Sequence, residues 1–374
     1  MSGTVLDIVG CGVLSAAGSG LDALAEALEG RRAPEPDPAD APGGEEFPPL
    51  RVRAVTGFRP AERLGGKGLS RLTRTDQMGM VACGQALEQL DGLDDDARRR
   101  TGVVLGTGAG SVRRLGEFTR DTFVQERPYM VNPSHFPGTL MNSCAGQTAI
   151  RYGLTGVNST LSGGPTAGLS ALRFARNALA NHRADRLLAG SVEELSAQSA
   201  WAWHRTGALG RDVAVGEGCA VFVLERGSDG SAGSSGTRPL ARLLSCEAGY
   251  ADPGAGAAAL GRRLADCVRD ALESASVTAE DVAVVAPGAA GRFGWAAVEE
   301  RALRSALGTP GPRRLPVHRV LGETHSAGAS LQLASVLAHW RSADTAERVG
   351  LVTSLGPDGQ VGCAVVERAG TAAG

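Results

Sequence analysis

The alternation of apolar and polar positions divides the chain into short buried strands and amphipathic helices. Residues 4–14 form an apolar run bounded by glycines, which predicts a central strand. Residues 20–30 place Leu21, Leu24 and Leu28 on one side of a helix. Helical spacing returns over residues 76–93 through Met80, Cys83, Ala86 and Leu90, and residues 101–108 read as a second buried strand. Residues 186–195 and 213–226 predict two more. After a low-complexity connector, residues 227–239, the pattern begins again. It predicts a strand at 240–244, a helix at 256–276, a strand at 282–285 and a helix at 295–307. A short segment at 317–321, a helix near 330–340 and strands at 348–354 and 362–367 complete it. Alternating strands and helices predict an α/β protein with a mostly parallel, covered sheet. The restart near residue 235 predicts a duplicated core, with halves at 1–235 and 236–374.

One stretch organises the rest: residues 153–181, GLTGVNSTLSGGPTAGLSALRFARNALAN. It reads as a strand at 157–162, a tight turn at Gly163-Gly164-Pro165, then a helix. Leu169, Leu172, Ala175 and Leu179 recur at spacings of three and four, so one helical face is buried, with Arg173, Arg176, Asn177 and Asn181 on the other side. A strand that enters a helix through so sharp a turn usually displays a reactive residue at the helix N-terminus, where free amides favour an anion. The tip here is Pro165. Proline suits a first helical turn, but it cannot attack anything.

Composition narrows the classes. The 374 residues leave room for two domains or one large duplicated fold. With 38 basic and 40 acidic residues, the net charge of −2 gives no case for nucleic acid or an anionic membrane. Seven cysteines, odd in number and without a CxxC pair, predict reduced, mostly buried thiols in a cytoplasmic protein. The start, MSGTVLDIVGCGVLS, has no basic residues before its apolar run, so no signal peptide is expected. No apolar run approaches the ~18 residues of a membrane span.

The pattern GxxGxxxTxxxxxxxG at residues 153–168, followed by an Ala/Leu-rich helix, resembles the nucleophile elbow of the β-ketoacyl synthases. These are the condensing enzymes of fatty-acid and polyketide synthesis. IVGCGVLSAAGSGLDALAEALEGR resembles the family's opening strand and helix, and GVVLGTGAGS its second strand. NPSHFPGTLMNSCAGQTAI resembles the segment that crosses the dimer interface, and GEGCAVFVLER the glycine–glutamate hairpin. The five pieces stand in the family's order, and the similarity covers nearly the whole chain. It implies a thiolase-like fold, a duplicated α-β-α-β-α layered architecture.

The resemblance also implies where chemistry should be. An active member carries its acyl group on a cysteine at the position of Pro165. Two histidines assist decarboxylation of the malonyl unit and stabilise the enolate oxygen. Their positions match Pro287, in VAVVAPGAAG, and Glu323, in PVHRVLGETHSAGASLQLA, with His318 at the place of a lysine. A glycine–phenylalanine–glycine gate has become Leu355-Gly356-Pro357-Asp358. No catalytic residue of the family remains, which marks a non-catalytic paralogue.

Within the family, a member that keeps the fold and lacks the cysteine resembles a chain length factor of a type II polyketide synthase. Such a subunit pairs with an active ketosynthase as a heterodimer. The chain growing on an acyl carrier protein and the partner's cysteine then extends into a tunnel at the interface, where shape decides its length. Carried over, the gate positions match Val112, Leu115 and Thr119, with Phe118, Phe123, Phe136 and Met141 as further tunnel or interface residues. Side chains smaller than the aromatics common there suit a long poly-β-keto chain or an extended polyene. The strand before the elbow, Asn158, Ser159, Thr160, Leu161 and Ser162, is the expected pairing edge. Proline departs from the glutamine usual at the cysteine position. No cofactor is implied.

The remaining polar residues admit plainer roles. Glu323 with His325 could form an acid–base pair in a repurposed acyltransferase, thioesterase or cyclase, or simply a structural hydrogen bond. Ser162 could serve as a surrogate nucleophile or satisfy local backbone. Trp201 and Trp203 beside Arg205 could mark an interface or pack in the core. His135, His182, His204 and His339 have no metal-ligand spacing, so no metal is expected. A third possibility is a homodimeric scaffold for a carrier protein.

Overall fold

The computed structural model describes residues 4–31, 46–227, 237–289, 291–342 and 346–370. Its centre is one continuous, mixed sheet of eleven strands. Ten are main strands: β1 (Leu6–Ser15), β2 (Thr101–Thr107), β3 (Asn158–Ser162), β4 (Arg186–Glu193), β5 (Gly218–Arg226), β6 (Ala241–Tyr250), β7 (Val282–Ala286), β8 (Arg313–Arg314), β9 (Val349–Leu355) and β10 (Gln360–Arg368). A two-residue ribbon, Gly18–Ser19, pairs back on β1.

The order across the sheet is β3-β2-β4-β5-β1-β6-β10-β9-β7-β8. On one side of the β1–β6 junction, β4, β2 and β3 run parallel and β5 joins them to β1 by antiparallel pairs. On the other side β9, β7 and β8 run parallel, and β10 joins them to β6 in the same way. The second half of the chain therefore lays down its strands in the order used by the first. The two sets meet where Leu6–Ile8 pair with residues 241–243. The boundary expected at residues 235–236 touches positions 228–236, which lie outside the described residues, as does most of the connector.

Helices cover both faces of each half. They are α1 (Gly20–Leu28), α2 (Arg74–Leu87), α3 (Val112–Val124), α4 (Ser143–Tyr152), α5 (Ala167–Ala180), α6 (Ala197–Thr206), α7 (Gly256–Ala275), α8 (Trp295–Leu307) and α9 (Gly328–Ser342). The elbow helix α5 and α9 form the central layer, and their residues join strands of both halves in the largest apolar cluster. In α9 every residue from Ala329 to Trp340 is buried, as a helix enclosed on all sides requires. Residues of α2 pack the outer face of the first half, and α7 with α8 that of the second. The layering is the expected duplicated α/β arrangement, and at about 25 cal/mol per Å² of apolar surface its three large clusters supply the main drive to fold.

Periodicity placed most elements and missed some ends. The helix predicted at 76–93 runs from Arg74 to Leu87. It starts earlier because Thr73 and Asp76 form a reciprocal capping box, with Asp76 N–H donating to Thr73 Oγ1 at 3.0 Å and Thr73 N–H to Asp76 Oδ2 at 2.8 Å. The strand predicted at 213–226 is two pieces. Val215–Gly216 leave the main sheet to pair with Val52–Arg53, and β5 begins only after the buried Glu217. The segment at 317–321 is a single helical turn.

Candidate functional site

The strand–turn–helix at the elbow is formed by β3, a 3-10 turn at Gly164–Thr166 and α5. Gly164 has φ +51°, a left-handed conformation that favours glycine, and it lets the chain reverse before Pro165. Gly168 permits the crossing behind it: a Cβ there would lie 2.7 Å from Ser330 Oγ and 2.9 Å from Ser191 Oγ. On α5 Leu169, Leu172, Ala175 and Leu179 are buried and Arg173 and Asn177 face solvent, as the spacing predicts. Pro165 is buried, and its carbonyl accepts from Ser354 Oγ at 2.8 Å.

Pro165, Pro287 and Glu323, far apart in sequence, line one cavity of about 20 Å³. That is room for roughly one water. An ion pair absent from the sequence reading occupies its wall. Arg292 Nε and Nη2 donate to the two carboxylate oxygens of Glu323 at 2.7 and 2.8 Å, in a bidentate fork. Nη1 of Arg292 donates to the Leu355 carbonyl at 3.1 Å, and the guanidinium stands 5.8 Å from the Trp203 ring centroid. Burial alone would raise the pKa of Glu323, but the charge and hydrogen bonds of Arg292 hold it below the usual carboxylate range. The sequence signal for Arg292 was slight: a single cation in the otherwise uncharged loop APGAAGRFGW.

The Glu323 carboxylate meets the backbone of His325 and not its ring: His325 N–H donates to Glu323 Oε1 at 2.8 Å. The imidazole of His325 lines the same cavity. Its Nδ1 lies 3.2 Å from Ser326 Oγ and 3.7 Å from Glu193 Oε2, and its ring meets Trp203 edge-on at 5.9 Å. Ser162 Oγ donates to the Gly108 carbonyl at 3.0 Å, the local backbone role open to it. Behind Pro287, the buried carboxylate of Glu299 accepts from the amides of Gly288 and Ala289 and from Thr353 Oγ1. His318 also lines the cavity, where burial and then the charge of Arg319 lower its pKa. Trp201 Nε1 donates to the Glu46 carbonyl, and Arg205 lies over its ring.

All seven cysteines are buried and unbridged, and burial raises each thiol pKa. None is poised as a thiolate. Among the described residues no group of three His, Cys, Asp or Glu gathers as a metal site. No helix among them is long and apolar enough to cross a membrane.

A second region lies beside the elbow, on the first half. Helix α3 buries none of its residues, and the chain that follows it exposes one large apolar side chain after another. Phe123 is 83% exposed, Phe136 53%, Met141 46% and Leu115 44%. Among the described residues, nine of the eleven exposed large hydrophobic side chains fall between 115 and 150, which is a patch and not scattered exposure. Phe118 and Phe136 pack with ring centroids 6.0 Å apart, while Val112 is half-buried and Thr119 exposed. Strand β3 ends the sheet with one edge unpaired, and Asn158 to Ser162 are all at least partly exposed.

Residues 6–230 match the family described as beta-ketoacyl synthase, N-terminal domain. The chain belongs to the β-ketoacyl synthase family. A chain from the solved structure of the ishigamide ketosynthase/chain length factor superposes with a TM-score of 0.82 at 32% identity, covering 98% of this chain and all of that one. A chain of a type II polyketide synthase ketosynthase–carrier protein complex, AntDE:AntF, shares the ketosynthase fold at TM-score 0.81 and 18% identity, over 98% of this chain and 100% of that one. Among curated relatives, 3-oxoacyl-[acyl-carrier-protein] synthase 2 of Vibrio cholerae is 31% identical over 144 residues, 38% of this chain. The match spans about a third of that ketosynthase's length.

Proposed function

We propose that this ketosynthase-fold chain is a non-catalytic chain length factor that pairs with an active ketosynthase and shapes the tunnel into which a polyketide grows. The observation that carries this reading is the cavity shared by Pro165, Pro287 and Glu323. If these stand where a condensing enzyme holds its cysteine and histidines, those three positions offer no thiolate to take the acyl group and no imidazole to stabilise the enolate, and the two imidazoles that do line the cavity, His318 and His325, come from other positions. A volume of about 20 Å³, walled by the Arg292–Glu323 pair, is also too small for a thioester.

The apolar patch supports the other half of the proposal. A surface with Leu115, Phe123, Phe136 and Met141 in water costs solubility unless a partner covers it, and α4 contacts both the Pro133–Thr139 turn of this surface and the sheet-end strand β3. The partner is an active ketosynthase subunit, and the substrate arrives on an acyl carrier protein. Val112, Leu115 and Thr119 lie on α3 at helical spacing, so they form a row along one side of the helix, and their modest size suits a long or extended chain. A repurposed acyl-thioester enzyme fits less well. Its candidate base, Glu323, is engaged by Arg292, and its candidate nucleophile, Ser162, donates its hydroxyl proton to the Gly108 carbonyl.

Co-expression with a ketosynthase that has an intact Cys-His-His set tests the reading. A one-to-one complex is expected, and with malonyl-loaded carrier protein its product mass falls when Leu115 or Val112 is replaced by Phe. A chain that purifies alone as a homodimer and turns over acyl thioesters would refute it.

A further inference from the structure

Helix α3 is attached to the body at its first turn. None of its residues is buried, and its lateral contacts are with the exposed turn Pro133–Thr139 and with α6, where Gly116 faces Gln198. Its N-terminus differs. Ser111, the N-cap, is buried, and so is Glu194, the residue that follows β4.

The Glu194 carboxylate bridges two helix ends. Its Oε1 accepts from Ser111 Oγ at 2.8 Å and from the Arg113 amide at 3.2 Å, at the start of α3. Its Oε2 accepts from Thr75 Oγ1 at 2.9 Å and from the Thr75 amide at 3.3 Å, at the start of α2. Arg113 and Thr75 are each the second residue of their helix, where amides have no partner within the helix. One carboxyl group thus takes a free backbone donor from each of two helices, and these hydrogen bonds oppose the rise in its pKa that burial causes. Helix α2 is firmly set, since ten of its fourteen residues are buried. Glu194 therefore ties the first turn of α3 to α2 and to the end of β4, in addition to the lateral contacts of α3.

We infer that Glu194 is a positioning residue for chain-length selection: by tying the first turn of α3 to that of α2, it sets where Val112, Leu115 and Thr119 stand. The inference rests on the reading of α3 as the tunnel wall. Glu194 touches none of the three gate side chains through its carboxylate, so any effect it has on product length must pass through the helix.

The test compares Glu194→Gln and Glu194→Ala with Leu115→Phe, each in complex with the partner ketosynthase. Glutamine keeps the volume and one acceptor oxygen, but turns an NH2 towards donors, so it guards against a variant that fails to fold. Hydrogen–deuterium exchange should rise about tenfold in peptides covering residues 112–118, as expected for the loss of these hydrogen bonds. Peptides from β4 and the middle of α2 should be unchanged. The product-length distribution should broaden in both Glu194 variants, with total turnover kept within about threefold, which separates position from general damage. Unchanged exchange in α3 overturns the inference. So does faster exchange with an unaltered product distribution, if Leu115→Phe shifts that distribution in the same assay. If Leu115→Phe also leaves an active complex unaltered, the tunnel reading itself has failed, and the positioning role falls with it, whatever the exchange shows.

Discussion

Replacing Arg292 by methionine should be the most damaging conservative change at the cavity shared by Pro165, Pro287 and Glu323, and its cost can be worked from the geometry. Arg292 and Glu323 are each 6% exposed and joined by two short hydrogen bonds. Removing one partner strands the other charge in a medium of low dielectric, which costs about 3–5 kcal/mol. Unfolding entropy of about 2.1 cal/mol/K per residue gives about 0.8 kcal/mol/K for a chain of this length, so about 4 kcal/mol lowers the midpoint by about 5 °C if it unfolds as one unit. The control is Arg292→Met with Glu323→Gln. It removes both charges yet leaves an oxygen for the His325 amide, and it should lie within about 1.5 kcal/mol of the parent.

Denaturant titration of the parent, both single variants and the double variant closes the cycle. The pH dependence supplies a sign. In the parent, Arg292 holds Glu323 below its usual pKa, so the pair's contribution is complete above the ordinary carboxylate range and is lost as pH falls through the lowered value. In Arg292→Met, burial without the cation should push the carboxylate up instead. That variant then gains stability relative to the parent as pH falls from the raised value towards the ordinary carboxylate range, and the gap narrows over that interval. A single variant that costs less than about 1 kcal/mol, or a double variant that loses the sum of the singles, would refute a charged buried pair.

Three further outcomes follow from the same structure. In the proposed complex, Pro165→Cys should not restore condensation, because proline and an Arg-bound glutamate hold the positions proposed for the two catalytic histidines and a cavity of about 20 Å³ leaves the thiol little space; an acyl adduct seen by intact mass would contradict this. On the proposed pairing, Phe136→Asp combined with Met141→Glu should abolish co-purification with the ketosynthase while leaving the melting midpoint within about 2 °C, since both side chains are about half exposed; retained complex on size exclusion would move the interface elsewhere. A thiol reagent near neutral pH should label none of the seven buried cysteines in the native chain and all of them after unfolding, and rapid native labelling would contradict their burial.

The main elements were legible because their signals are local. Leu169, Leu172, Ala175 and Leu179 mark the buried face of α5 by spacing alone, and the turn before it announces itself in Gly163-Gly164-Pro165. The convergence of Pro165, Pro287 and Glu323 on one cavity needed register with a known family, since no periodicity links positions so far apart. Arg292 and Glu194 stayed hidden for a related reason. A buried ion pair or a shared cap is defined by partners that only the tertiary fold brings together: Arg292 bonds across 31 residues, and Glu194 across 83 and 119. The misjudged start of α2 is different. The capping residues Thr73 and Asp76 were in plain view, and apolar spacing was given more weight than they were.

A helix that buries nothing of itself has an evolutionary consequence. Core positions are coupled to their neighbours, so a change there taxes folding, typically by about 2–5 kcal/mol for a large-to-small substitution. Surface positions such as those of α3 usually vary within about 0.5 kcal/mol. Selection can therefore exchange the side chains along this helix one at a time, with the elbow, the sheet and the central layer untouched. The fold is in this sense modular at a single helix: descendants could diverge in what the surface of α3 presents while inheriting the same scaffold intact.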